Sequence, residues 1–369
     1  MPKILSSRLV LFVSVLALCA PAKDMTAKDS SQPLVSSELL EHAKLKLVWQ
    51  NKLPIKKKES LERLLILGDR IYALSSHNYM VSLDRESGDV IFSKPVAPAG
   101  FAVLGLELYQ DELISVIGNK LVEMDLETGQ DRRTTPLEFG IVCPAARNSS
   151  YFYLSGADRR LRVLRAENKV QVFEVAAENA SMITSIIPDE HFVIFGTDAG
   201  NVISITADGP KRLWQFDATD TIAGPIVRDG PSLFFANKDT NVYRLDMLGL
   251  TKAELVWKYQ MPGILTRAPR VTWQTVYQYA GGKGLTAIDK RSGKALWSVR
   301  EGVDLLADAG DKAYVITDRR TLLVMDNIKL KRLYWVNFAG VSRYAVNTID
   351  SRIYIADERG RVACLEPVE

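Results

Sequence analysis

Histidine and cysteine are scarce in this 369-residue chain, with three of each. His42, His77 and His191 have no His or Cys partner at metal-ligand spacing, so no zinc-type motif is present. Cys143 and Cys364 fall in segments far apart, which argues against a disulfide framework and for two buried free thiols. Charge of one sign is not in excess either: 47 bases stand against 44 acids, which gives no electrostatic reason to expect a nucleic-acid partner. A P-loop, a Gly-x-Ser-x-Gly elbow and a convincing pair of catalytic acids are also missing.

Long apolar runs are absent after the first residues. Lys3 and Arg8 precede Leu9 to Leu18, a run of about ten residues that is too short to span a bilayer. Residues 1–22 therefore read as a secretory signal peptide and the chain as exported, to the periplasm or the periphery of an outer membrane. Ala20-Pro21-Ala22 is an A-x-A cleavage site, while Leu16-Ala17-Leu18-Cys19 approaches a lipoprotein box that would acylate Cys19. Leu18 stands where that box needs a small residue, so cleavage after Ala22 is preferred over a lipid anchor. Removing 1–22 takes away Lys3 and Arg8 and no acid, which leaves 45 bases against 44 acids. Residues 23–44 read as a polar linker, with one helical turn around Leu39-Leu40-Glu41-His42.

What the rest of the chain does have is a repeat. Thr275 to Tyr279, a Gly-rich turn, Leu285 to Asp289, the turn Lys290-Arg291-Ser292-Gly293 and a segment ending at Trp297 read as strand, turn, strand, turn, strand. The same frame recurs along the chain, with marker positions at 84, 125, 165, 206, 246, 289, 326 and 366, spaced by 37 to 43 residues. An additional apolar run ahead of each marker, such as Leu64 to Leu67, supplies a fourth strand. Eight units of four strands predict an all-β, eight-bladed β-propeller over 45–369. The last unit has no residues left for its fourth strand, whereas Leu45 to Trp49 precedes the first unit with nothing to pair with. Placing that strand on the outside of the eighth blade closes the ring and removes the open edge.

Ala287-Ile288-Asp289-Lys290-Arg291-Ser292-Gly293-Lys294-Ala295-Leu296-Trp297 matches the A-x-D-x-x-[ST]-G-K-x-x-W docking motif residue by residue. On these residues the chain resembles the quinoprotein-type (PQQ-like) propeller repeat proteins, outer-membrane assembly factors of the BamB type among them. The resemblance covers essentially all of 45–366. It implies that the motif's aromatic packs against the neighbouring blade, a role that falls to Trp49, Phe92, Phe173, Trp214, Trp257, Trp297 and Trp335. Blade 2 carries Arg133 there instead, so its seam is expected to be the weakest. Asp84, Asp125 and Asp289 precede x-x-[ST]-Gly turns and are expected to cap them rather than to bind metal.

Quinoprotein dehydrogenases bind pyrroloquinoline quinone and calcium over the propeller axis and carry vicinal cysteines. This chain has no Cys-Cys pair and no insertion long enough to cover a cofactor, so no cofactor and no catalytic residue is expected. The frame instead puts Arg159, Arg160, Arg319, Arg320 and Arg359 on turns between second and third strands, a candidate partner face interleaved with acids. The resemblance implies a non-enzymatic scaffold, a monomeric subunit of a complex, with protein partners in the bacterial envelope such as the β-barrel assembly machinery. A second reading remains beside it: a propeller binding a quinone or another small ligand, with oxidoreductase or carbohydrate-related activity.

Overall fold

The structure, a computed structural model, describes residues 32–368. The signal-peptide residues 1–22 and Cys19 lie outside the described residues. Eight four-stranded antiparallel sheets follow one another around a ring. Blade 1, for example, is built from Leu61–Leu67, Arg70–Ser75, Tyr79–Asp84 and Val90–Pro95, paired in that order from the axis outward. The second and third strands are packed on both faces by neighbouring blades and so read as nearly continuous apolar runs. All six residues of Arg70–Ser75 and of Phe192–Thr197 are buried. Fourth strands have one edge in water and turn polar, as in Asp131–Pro136.

The eighth blade is closed from the other end of the chain. Arg343–Ala345, Ile353–Ala356 and Arg361–Pro367 are joined on the outside by Leu45–Lys52, with Trp49 opposite Cys364. Every blade has a register shift in its outer pairing, two residues before the marker on the third strand, and the closing strand reproduces it between Leu47 and Trp49 although no turn connects it. That bulge aims one outer-strand side chain at the next blade. The position across from Ala287 is Trp297, across from Ser82 Phe92, across from Val163 Phe173, across from Ser204 Trp214 and across from Arg244 Trp257.

The aimed aromatic lies on the following blade's turn. A Cβ at Gly88 would stand 2.5 Å from the Trp49 ring, at Gly129 2.5 Å from Phe92, and at Gly293 2.6 Å from Trp257. Each of these glycines also has a left-handed φ of 68° to 76°, so both the space and the backbone require glycine. The indole N–H groups are satisfied across the seam: Trp49 Nε1 donates to Arg85 O at 3.2 Å, Trp257 Nε1 to Lys290 O at 3.0 Å, and Trp297 Nε1 to Asn327 Oδ1 at 2.8 Å.

Three expectations change. Trp335 does not dock. Across from Val324, at the bulge position of blade 7, stands Tyr334, whereas Trp335 faces Leu323 and is 69% exposed. Alternation along the strand turns consecutive side chains to opposite faces, so one residue of offset moves the indole off the seam.

The seam after blade 2 is built differently rather than merely lacking its aromatic. Arg133 donates to the Glu167 carbonyl, and Lys169, at the position of the turn glycine, reaches back to Glu123 at 2.9 Å. Both side chains of that ion pair are at most 6% exposed, and the ammonium sits 4.4 Å above the Phe152 ring. An ionic bond thus stands where the other blades use an aromatic.

The described part of 23–44 is not a free polar linker. Ser36 caps a helix over Ser37–His42, and Leu34, Val35, Leu40 and Ala43 are buried in one cluster with Val336, Phe338 and Leu365. Four apolar side chains are enough to hold this segment across the seam between blades 7 and 8. Cys143 and Cys364 are buried free thiols.

Truncation of Trp297 to alanine is expected to cost about 3 to 5 kcal/mol, because it removes a buried indole and strands the Asn327 side chain. Trp335→Ala is expected to change stability by less than about 0.5 kcal/mol. Denaturant melts of the two variants beside the parent chain check both, and equal losses would show that the bulge position does not define the seam.

Candidate interaction faces and the axial cavity

One end of the ring carries the first-to-second and third-to-fourth turns. Asp84 Oδ1 accepts from the backbone N–H of Glu86 at 2.9 Å and Ser87 at 2.7 Å. Asp125 Oδ1 accepts from Thr128 N at 2.8 Å, and Asp289 Oδ1 from Ser292 N at 2.7 Å. The bond from Ser87 holds the Asp84 carboxyl below its ordinary range; Asp125 is lowered chiefly by Arg132, then by Thr128. Each carboxylate serves its own turn, and the ring keeps the three apart. No group of three or more His, Cys, Asp or Glu among the described residues is placed to hold a metal ion.

The same end carries a second seam device. A tyrosine stands twelve residues before the marker in five blades, at 72, 153, 277, 314 and 354, and all five are buried. Three of them reach the next blade. Tyr153 donates to Ala207 O at 3.0 Å, Tyr277 donates to Asp308 at 2.8 Å and accepts from Asn327 at 2.9 Å, and Tyr354 accepts from Arg85 Nε at 3.0 Å. The period stands in the sequence at a fixed offset from the marker.

The opposite end carries the second-to-third turns and the connections between blades. Arg159, Arg160, Arg319, Arg320 and Arg359 are all exposed there, on blades 3, 7 and 8. They do not form one cluster, since blades 3 and 7 are four apart in a ring of eight and face each other across the axis. Their commitments differ too. Arg160 pairs with Glu174, Arg159 donates to Ala180 O at 3.0 Å and Arg320 to Ala339 O at 3.5 Å, whereas Arg319 pairs with no carboxylate among the described residues. Arg359 is anchored through its carbonyl, which accepts from Lys52.

Arg319 also lines a cleft of about 550 Å³ between blades 6 and 7, with Tyr279, Arg300, Glu301, Asp318, Arg332 and Trp335 among its walls. Arg300 and Arg332 carry no sequence signal, since they sit outside the second-to-third turns, on a connection between blades and on an outer strand.

A second cavity, of about 230 Å³, opens where the inner parts of blades 2 to 5 meet, with Glu107, Cys143, Pro144, Ser185, Pro225 and Ile226 in its wall. Loss of hydration pushes the Glu107 carboxyl up to about 7, and burial pushes the Cys143 thiol up to about 12. A quinone bearing several carboxylates does not fit these residues. Among the described residues Arg147 is the one cation in the wall and is held by Glu112, so no free positive charge is left there for the quinone's carboxylates.

The fold and its repeated seam define the class: an eight-bladed propeller of PQQ-like repeats. A family model described as outer membrane protein assembly factor BamB matches residues 39–208 and again 198–367, so the chain belongs to that family. Among solved structures, BamB from Moraxella catarrhalis is similar with a TM-score of 0.66 at 14% identity, covering 87% of this chain and 97% of that one. The computationally designed Ika8 protein is similar at 0.65 and 13%, covering 85% and 98%. The Cps50 (Swd1) β-propeller domain of Myceliophteria thermophila is similar at 0.55 and 13%, covering 86% and 99%. At such identities these likenesses show the fold. No curated protein matches the chain.

Glu107 yields a signed pH dependence. Its folded value of about 7 lies above the ordinary 4.5, so the folded chain holds the proton more tightly and loses stability as pH rises from about 4.5 to about 7. The Glu107 side chain is itself exposed to water, which discounts the effect to at most about 1 kcal/mol. Glu107→Gln is expected to leave stability at pH 4 unchanged and to raise it at pH 8; parallel loss at both values would refute the assignment.

Proposed function

We propose that this chain is a non-enzymatic scaffold of the bacterial cell envelope, which holds protein partners on the exposed turns of a rigid ring and supports outer-membrane protein assembly as a BamB-type factor. The observation that carries the reading is the double family match, one copy on each half of the ring, spanning nearly the whole propeller. The distribution of exposed groups supports it. Arginines on the second-to-third turns stand on strands paired on both sides, and recognition loops on a rigid platform bind without paying for their own ordering. No helix among the described residues is long and apolar enough to cross a membrane, so on this reading attachment comes through partners or through a lipid at Cys19. The test is affinity purification of the tagged chain from its native envelope after mild cross-linking, with mass spectrometry of the mature N-terminus on the same sample. Components of the β-barrel assembly machinery are expected among the captured proteins. Their absence from an otherwise specific set of envelope partners would remove the assembly role, and a free Lys23 terminus would remove the lipid anchor.

A further inference from the structure

The cleft between blades 6 and 7 combines three features that the repeat does not require. The first is Trp335. Tyr334 occupies the bulge position of blade 7, yet the chain keeps the largest apolar side chain one residue later, 69% exposed, as the cleft's outer wall above its cross-strand neighbour Leu323. The second is uncommitted positive charge. Arg300 and Arg319 are exposed and pair with no carboxylate among the described residues, and the nearest carboxylate to Arg332 is Glu301 at 3.8 Å, with both side chains about half exposed. Elsewhere on this end of the ring, Arg160, Arg162 and Arg361 are bonded to acids, and Arg159 and Arg320 donate to backbone carbonyls. The third is shape. The cleft's volume of about 550 Å³ falls among those of ligand sites, and its walls are paired strands and short turns, with Tyr279 backed by the Arg267 guanidinium at 4.9 Å.

We infer that this cleft is a docking site for a short acidic peptide segment of a partner protein, whose carboxylates meet Arg300 and Arg319 and whose large apolar side chain lies on the Trp335 indole. Guanidinium forks donate to carboxylates in bidentate geometry, and an exposed indole beside arginine and tyrosine is the composition of interface hot spots. Glu301 and Asp318 in the same walls decide against a uniform polyanion such as nucleic acid or an acidic polysaccharide. They would repel a ligand charged at every unit, whereas a peptide offers them backbone N–H donors between its acids. The inference rests on the scaffold reading and gives it one location on the ring.

The test uses the full mature chain and an array of ten-residue peptides that place two aspartates or glutamates and one Phe, Trp or Leu at every separation up to four residues. Asn/Gln copies of each peptide and a heparin fragment serve as controls. Binders are measured in solution by fluorescence anisotropy against the parent chain, Trp335→Ala and Arg319→Glu. The expected result is saturable binding of at least one acidic peptide. That binding should weaken at least tenfold in each variant and with added salt, and it should be lost in the amide copy, while both variants melt with the parent. Absence of any binder, equal binding of the amide copies, indifference to both variants, or heparin binding with the same variant sensitivity would overturn it. Envelope purification with the two variants separates this failure from that of the scaffold: undiminished capture of specific partners sinks the cleft and leaves the scaffold standing.

Discussion

An aromatic ring laid on the turn of the next sheet joins one blade to another at the rim, and the rest of the ring depends on that contact. A four-stranded sheet cannot cover its own two faces, and each blade here borrows its cover from its neighbours. The outer strand sits farthest from the axis, where blades diverge and the gap is widest. A bulge rotates one side chain into that gap, a glycine on the far side leaves room for it, and the indole N–H finds an acceptor beside the marker residue. Because the bulge appears in all eight outer pairings, the closing one included, its geometry belongs to the sheet and not to the turn that precedes it.

Given that geometry, the chemistry of the seam can vary. Between blades 2 and 3 an ammonium and a carboxylate, both buried, span the gap, with the Phe152 ring beneath the ammonium. Such a pair is sensitive to loss of either partner, since the charge left behind would be buried and unpaired. The tyrosines twelve residues before the marker add a polar tie nearer the axis, through Asp308 and Asn327 in one seam and Arg85 in another. In the three junctions where the tyrosine reaches across, outer aromatic and inner tyrosine together brace the seam at two radii, which resists both splaying and twisting.

The eight-blade count, the strand order and the closure were legible because they rest on a period and on an end-count, and both survive wide sequence variation. Reading Trp335 as a docking residue failed for a physical reason. Register, not residue type, defines the seam: Phe92, Arg133, Phe173, Trp214, Trp297 and Tyr334 all stand eight residues after their markers. Blade 5, where three extra residues in the turn delay Trp257, concealed the rule. Ahead of the first strand the helical turn at Leu39-Leu40-Glu41-His42 is legible in the sequence, whereas the docking of Leu34 and Val35 is hidden by the polarity of the residues around them. The ionic seam could not have been read at all, because Glu123 and Lys169 lie 46 residues apart and neither marks a motif. The turn arginines share one end of the ring, but adjacency across eight blades is a property of the circle, and it divides those residues between opposite sides.

The exposed Trp335 and the buried Trp297 show how a repeat protein separates stability from recognition. Seam positions are constrained by both neighbours, so a side chain there answers to packing alone. One residue further along the same strand, pleating turns the side chain away from that seam and releases it from the constraint. Surfaces built from such offset positions can change without loosening the ring. The cleft between blades 6 and 7 follows this rule, with its indole one place past a docking tyrosine and its arginines on a connection, a turn and a strand edge. Differences in recognition among propellers of one fold should therefore concentrate at positions adjacent to the seam residues, while the seam residues themselves keep the frame.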